Sequence, residues 1–510
     1  MALSTLDLFI FVAFFSGVVG FSMYKSRRGR GSEDYFLAGR GLTWPLIGLS
    51  IVAANLSTEQ FVGMAGQGAG EMGLAVSAWQ LTGAVGIVIV AFTFLPKFLR
   101  AGIYTMPEFL EHRFHPSARA LMAVWTLVIY AGVLITTVLY SGALTLNAVF
   151  DLKITYGVWL IALITALYTT WGGLKAVAWA DLFLGSTLLI GGLFTMKLGF
   201  DAVGGASEFF TTNADRLHMI LPADHKSLPW TGIAGGMWIP IFYYCGLNQF
   251  IVQRSLAARD LHHGQMGVIF AAFLWLLVPF AIVLPGIMAG QLYGDQIENP
   301  DQAYPLLISN LVPSGARGFL FAAVAGAVIS SLASMLNSAS TIFTMDLYYR
   351  HFRPAANQSE LIRSGRIATL VCVIIGGILA PQLADPRFGG VFNFIQEFQG
   401  YVSPGILAAF AFGLAVPKAP TAAGLAALVL SAPIYGFLQW QWGDVAYLHR
   451  MLLTFLLVIA VMTIITLMAP LAEPRHLPVK RELDERTRPI AYVSGAVVIL
   501  LVVAFFIVFK

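Results

Sequence analysis

The chain has 510 residues, 58% of them hydrophobic and only 11% charged, with a formal net charge of +4. A soluble domain carries about 25% charged residues, so this chain lacks the charges to cover a water-facing surface, and lipid is the solvent for most of it. The small positive balance is no footprint of a nucleic-acid partner. The two cysteines, Cys245 and Cys372, lie in apolar stretches and make neither a disulfide framework nor a CxxC motif. No HExxH, P-loop or GxSxG pattern points to an enzyme.

A membrane-crossing helix needs about 20 apolar residues. In chain order such stretches fall at 5–24, 44–66, 73–96, 119–148, 156–172, 178–199, 229–252, 266–291, 317–345, 365–384, 391–416, 420–440, 449–470 and 490–509, fourteen in all, with 156–172 the shortest. The first is followed, not preceded, by positive charges, which argues against a cleavable signal peptide and predicts a span with its N-terminus outside. The longest loop, 200–228, leaves no room for a soluble domain. On this topology 22 of the 30 Lys and Arg residues fall on cytoplasmic loops, Arg254 among them. That asymmetry is what the positive-inside rule requires, and it predicts an even number of spans with both termini outside.

Polar groups at membrane depth are costly and are functional candidates. In the second span, Asn55, Ser57, Thr58, Glu59 and Gln60 interrupt an apolar run. They read either as a helix broken at mid-membrane to line a cavity or as a polar kink packed against neighbours. In the ninth span, Ser330, Ser334 and Ser338 share one helix face. Small residues at this spacing pack helices closely; the other reading is a sodium site, since a hard cation takes oxygen ligands. Asp181, entering the sixth span, either balances a nearby cation or is a surface acid favoured by the helix dipole. Tyr243–Gly246 and Phe392–Glu397 supply aromatics and a Gln that suit a solute pocket or a membrane-interface belt.

Several of these stretches, with Glu33–Gly39, Gly102–Phe109, Asn248–Arg254, Ser330–Tyr348 and Val402–Leu407, resemble the sodium:solute symporter family, and within it the sugar branch that holds the bacterial sodium/galactose symporters. The resemblance runs over essentially the whole chain. It implies an all-α polytopic membrane protein with an inverted-repeat (5+5) core whose repeats each begin with a discontinuous helix. Residues 1–43 would be a peripheral helix and loop, 44–199 the first repeat, 200–228 an extracellular loop, 229–416 the second repeat and 417–510 peripheral helices. The break near Tyr244 rests on the resemblance alone.

Carried over position by position, the resemblance puts the sodium ligands on the carbonyls of Ala53, Leu56 and Ala327 and the hydroxyls of Ser330 and Ser331, with Asp181 near the ion path. Asn55, Gln60 and Gln396 fall where hydroxyl-binding amides sit, Tyr244 on the aromatic that stacks from the inner side, and Met64, Trp79 and Phe392 on the outer gate. Three positions depart from the galactose carriers: Gln80 replaces a glutamate, Ile241 an asparagine and Trp275 a lysine. The implied function is sodium-coupled import of a hexose, modified hexose or polyol other than galactose by alternating access, in a bacterial plasma membrane. The alternative is a symporter of the same family for an amino acid or carboxylate, which the lack of any Lys or Arg in the expected pocket disfavours. A sensor or an intramembrane enzyme finds no support in the motifs, and the oligomeric state is left open.

Overall fold

The computed structural model describes residues 4–26, 32–57, 59–150, 152–384, 391–480 and 486–510. Among them the one β-type pairing is an isolated bridge between Leu42 and Ala258; the rest of the regular structure is helical. In chain order the helices that build the membrane body are α1 (Thr5–Ser26), then α2 (Trp44–Asn55) and α3 (Gln60–Ala69), bent by 60° at the break between them. There follow α4 (Gly73–Ala101), α5 (Pro116–Asn147), α6 (Ile154–Thr170) and α7 (Gly173–Ala202). Next come the short α8 (Trp238–Gly246) and α9 (Gln249–Leu256), then α10 (Leu261–Gln296), α11 (Ala316–Phe352), α12 (Gln358–Ala384) and α13 (Val391–Ala415). The last three are α14 (Thr421–Gln441), α15 (Tyr447–Met468) and α16 (Pro489–Val508).

Among the described residues eleven of these are long and apolar enough to cross a membrane, and the bent α2–α3 pair makes a twelfth. The expected count of fourteen is therefore not reached on length and hydropathy. The two remaining stretches are helical but short or interrupted. α6 is apolar but falls below the length criterion. It runs straight into α7 except at Gly173, whose φ of 59° breaks the helical path. A Cβ at Gly173 would fall 2.8 Å from the Tyr35 carbonyl, so glycine serves both the turn and the close approach. The stretch 229–252 is divided into Trp230–Ala234, α8 and α9, and α8 ends where the Asn248 N–H turns back to the Tyr243 carbonyl, which already accepts the Leu247 N–H.

Burial separates a core from a lipid-facing rim. The apolar window of α11 is 89% buried and that of α4 83%, against 17% for α1, 28% for α15 and 22% for α16. α11 packs along α7, α10 along α2, and α2 against α7. Gly185 lets α7 approach α2 so closely that a Cβ there would lie 3.0 Å from the Ala53 side chain.

The loops gather on two faces. On one, Asp7 accepts from the Gly315 N–H at 2.7 Å and the Met219 N–H bonds the Phe509 carbonyl at 2.7 Å. On the other, Arg40 reaches the Gly102 carbonyl, Arg119 pairs with Glu111 and Asp346, and Lys480 pairs with Glu108.

Candidate functional site

Both helix breaks lie against the buried core helices. At the first, Leu56 leaves the helical region with φ −79° and ψ 74°. The Ser57 N–H turns to the Asn55 carbonyl at 2.9 Å and the Gln60 N–H to the Ser57 carbonyl at 3.0 Å. In an unbroken helix those two donors would serve the carbonyls of Ala53 and Leu56, which are thus released from the ladder. The polar run therefore marks a true break, not a packed kink. At the second break the Tyr130 hydroxyl donates to the Asn248 side chain and accepts the Phe250 N–H at 3.0 Å, which fixes the start of α9.

Across from the first break stands the serine face of α11. The Ser331 hydroxyl lies 3.3 Å from the Ala53 carbonyl and 3.2 Å from that of Ala54. Ser330 donates instead to Asp181. Ser334 donates to the Ser330 carbonyl and accepts from Arg254. Of the five expected ion ligands, then, the structure brings Ala53 and Ser331 together and turns Ser330 toward the acid. Ala327 sits one turn before Ser331, buried, and among the described residues neither it nor Leu56 is hydrogen-bonded to these hydroxyls.

Asp181 is not a surface acid. It is fully buried and paired at 3.2 Å with Arg254, itself fully buried. Nor is Arg254 a loop cation, as the charge count has it. Its guanidinium is satisfied by the Ser50 carbonyl at 3.1 Å, the Ser50 hydroxyl at 2.7 Å, the Phe250 carbonyl, Ser334 and Asp181. These replace water at every side, which is what a buried charge requires. Sequence reading missed this residue although the signal was present: an acid at membrane depth calls for a cation.

Beside the break lies a cavity of about 70 Å³, with room for a few waters. All the expected solute residues line it: Asn55, Gln60, Gln80, Tyr244, Trp275 and Gln396, with Trp79 and Phe392 from the expected gate. Ile241, the third departure from the galactose carriers, is there as well with Cys245 of the Tyr243–Gly246 segment, and Gly83, Phe250 and Gln399 join the lining unforeseen. Gln80 Nε2 donates to Asn55 Oδ1 at 3.0 Å and to Gln60 Oε1 at 3.2 Å, and Asn55 Nδ2 donates to the Tyr244 hydroxyl at 2.9 Å. Among the described residues, Trp275 Nε1 and Gln396 Oε1 are buried without a hydrogen-bond partner. A donor and an acceptor left unpaired in this way are expensive unless a guest or a water completes them. Among the described residues no acidic or basic side chain lines the cavity.

The gate residues are gathered in part. Trp79 meets Phe392 edge to face at 5.8 Å and stacks on Tyr447 at 6.3 Å. Tyr447 belongs to α15, one of the helices that the resemblance makes peripheral. Met64 is not in the cavity wall; its sulfur lies 4.0 Å from Gln80 Nε2, behind it.

Irregular backbone is tolerated at membrane depth where it lines a protein cavity, and secondary transporters open their helices in this way around a cargo. That is the class this fold defines: a secondary transporter, not an enzyme. The chain belongs to the sodium:solute symporter family, whose sequence model matches residues 35–430. It is 36% identical to the sodium/glucose cotransporter of Vibrio parahaemolyticus, over 99% of this chain and 98% of that one. It is 34% identical to the sodium/myo-inositol cotransporter 2 of Oryctolagus cuniculus, over 85% of this chain and 69% of that one. Its fold is similar to that of a Na+-coupled sialic acid symporter, with a TM-score of 0.82, 21% identity, and coverage of 93% of this chain and 99% of the other. The family and the all-α transporter fold expected from the motifs are thus those of the chain.

Proposed function

We propose that this protein carries sodium and a neutral sugar or polyol together across the plasma membrane by alternating access. The single observation that carries the sugar reading is a cavity wall in which amides, a tyrosine and indoles are set among apolar side chains, with no charged side chain among the described residues. Amides both donate and accept, as hydroxyl groups do, so Asn55, Gln60, Gln80 and Gln396 suit a polyhydroxylated guest, and the Tyr244 and Trp275 rings suit its apolar face. The names of the relatives, which carry glucose and myo-inositol, point the same way. Gln80, Ile241 and Trp275 stand where galactose carriers have Glu, Asn and Lys, so galactose is a poor fit.

The ion is assigned to the carbonyls of Ala53, Leu56 and Ala327 with Ser330 and Ser331, and Asp181 stands beside its path. In this reading sodium draws Ser330 from Asp181 toward the broken helix and so couples α11 to the cavity wall. Trp79, Phe392 and Met64 close the outer side and Tyr244 the inner. Residues 44–199 and 229–416 act as the two repeats that rock about the site, and 1–43 and 417–510 as peripheral helices. The face rich in Lys and Arg is cytoplasmic and both termini lie outside, as the positive-inside rule asks. One charge moving through 100 mV supplies about 2.3 kcal/mol, and a tenfold sodium gradient about 1.4 kcal/mol.

The test is uptake into proteoliposomes of labelled glucose, galactose, N-acetylglucosamine and myo-inositol, with and without an inward sodium gradient. Sodium-dependent accumulation of one of them names the substrate. Accumulation of an amino acid or carboxylate, and of none of these, overturns the sugar reading.

A further inference from the structure

The cavity and the ion site leave two buried glutamines of α9 unused. Gln249 and Gln253 lie four residues apart and so share one face of that short helix. Gln249 Oε1 accepts the Met106 N–H at 2.8 Å, and its Nε2 donates to the Tyr104 carbonyl at 3.2 Å. Gln253 Nε2 donates to the Phe36 carbonyl at 2.6 Å and to the Thr341 hydroxyl at 3.1 Å, and its Oε1 accepts from the Ser338 hydroxyl at 2.6 Å. Both side chains complete the end of another helix. Met106 opens the helix Met106–Arg113, where Thr105 supplies no side-chain cap, and the first N–H groups of a helix have no partner within it. Phe36 lies in the last turn of the helix Ser32–Leu37, where the final carbonyls are equally unserved.

These bonds stand between the central cavity and the face rich in Lys and Arg. Toward the cavity, Phe250, next to Gln249, packs edge to face on Tyr244 at 5.6 Å, and both rings line the cavity wall. Toward the basic face, Arg40 holds the loop before Met106 through the carbonyls of Gly102 and Ile103 at 3.0 and 3.3 Å. The two amides thus tie α9 to that loop and to α11. Buried donors and acceptors are expensive to leave unmade, so the amides can exchange these partners only for water. Releasing α9 and admitting water from the basic face are then a single event.

We propose that Gln249 and Gln253 are positioning residues of the transport cycle: an inner latch that keeps Tyr244 and Phe250 closed until α9 lets go of the loop before Met106 and of α11. This rests on the alternating-access reading. Ser338 stands about two turns along the same α11 face from Ser330, so the latch and the hydroxyls assigned to the ion share one helix.

The test is labelling of Cys245, which lines the cavity wall, by a membrane-impermeant maleimide in right-side-out and inside-out vesicles. Cys372→Ala serves as the background, leaving Cys245 as the only thiol. The closed cavity of about 70 Å³ is too small for the reagent, so labelling reports opening. It needs neither sugar nor sodium, and its outcome is therefore separate from that of the uptake assay. The variants are Gln249→Leu, Gln253→Leu and the milder Ser338→Ala, which removes one latch bond without touching α9 and decides alone if a leucine variant does not fold. Each is expected to raise the labelling rate from the basic face about two- to tenfold and not to raise it from the opposite face. A variant that merely loosened the fold would label faster from both. Faster labelling from both faces, or a basic-face rate equal to the parent's in the folded variants, overturns the proposal.

Discussion

The Asn55 side-chain amide donates to the Tyr244 hydroxyl at 2.9 Å, and this bond joins the two broken regions of the bundle. Asn55 is the last residue of α2 and Tyr244 lies three residues before the break that separates α8 from α9. Both side chains line the central cavity, so a change at either break is felt by the guest and by the opposite break.

Tyr244→Phe removes the hydroxyl and keeps the ring. A neutral hydrogen bond of this kind contributes about 0.5–1.5 kcal/mol, so the KM for the sugar in sodium-driven uptake is expected to rise about 2- to 10-fold. Protein yield should be unchanged. An unchanged KM would place the Tyr244 hydroxyl outside the binding contacts.

Asp181→Asn leaves the Arg254 guanidinium buried without its counter-charge. Breaking one side of a buried pair costs roughly 3–5 kcal/mol, so the single variant should show sharply reduced thermal stability. The double variant Asp181→Asn/Arg254→Gln removes both charges and should recover a large part of the loss. A double variant no better than the single would show that the ion pair does not act as a unit.

Gln80→Glu restores the acid of the galactose carriers with nearly the same shape. The Asn55 and Gln60 amides, now facing Gln80 Nε2 through their oxygens, can rotate to donate to a carboxylate, and the Tyr244 hydroxyl can then donate to Asn55. Hydrogen bonds to charged groups contribute about 1.5–3 kcal/mol, so galactose should compete with uptake at about tenfold lower concentration or better. Galactose competition that stays as weak as in the parent would count against the specificity assigned to this position.

Asp301 lies in the loop between α10 and α11, beside Gly66 of α3. Burial raises its carboxyl from 3.8 to about 6, and a hydrogen bond to the Val391 backbone offsets this only in part. Because the folded value is the higher one, the stabilising contribution is complete below about 3.8 and is lost as pH rises through about 6. The advantage of Asp301→Asn in Tm should therefore grow between these two values and level off above them. At the plateau it corresponds to about 3 kcal/mol. A pH-independent difference would mean that the carboxyl is not buried in the folded protein.

What the sequence reveals follows the range of the interactions. The break after Asn55 is legible because Asn, Ser and Gln interrupt an apolar helix, and local polarity leaves only a cavity-lining break or a packed kink there. The break at Leu247 is not, because Leu247 is apolar and the turn is held by Tyr130, 118 residues away from its partner Asn248. Its expectation came only from family resemblance. Arg254 was assigned to a loop because charge counting has no means of seeing Asp181, 73 residues earlier. The orphan acid was visible and its partner was not. Tyr447 was likewise hidden, since its contact with Trp79 depends on how α15 folds back onto the core. The lining residues fared better: side chains that are polar at membrane depth have few places to go, and Asn55, Gln60, Gln80 and Gln396 meet in one cavity.

The most direct measurement is the sodium dependence of sugar uptake in proteoliposomes for the parent chain and Ser331→Ala. Among the described residues Ser331 is the one hydroxyl bonded to the released Ala53 carbonyl, and its removal deletes a proposed ligand oxygen without adding bulk. The account predicts uptake that requires an inward sodium gradient. It also predicts that the sodium concentration for half-maximal rate rises about tenfold or more in the variant. Uptake indifferent to sodium, or a variant with the parent's sodium dependence, would contradict the assignment of this site as the coupling site.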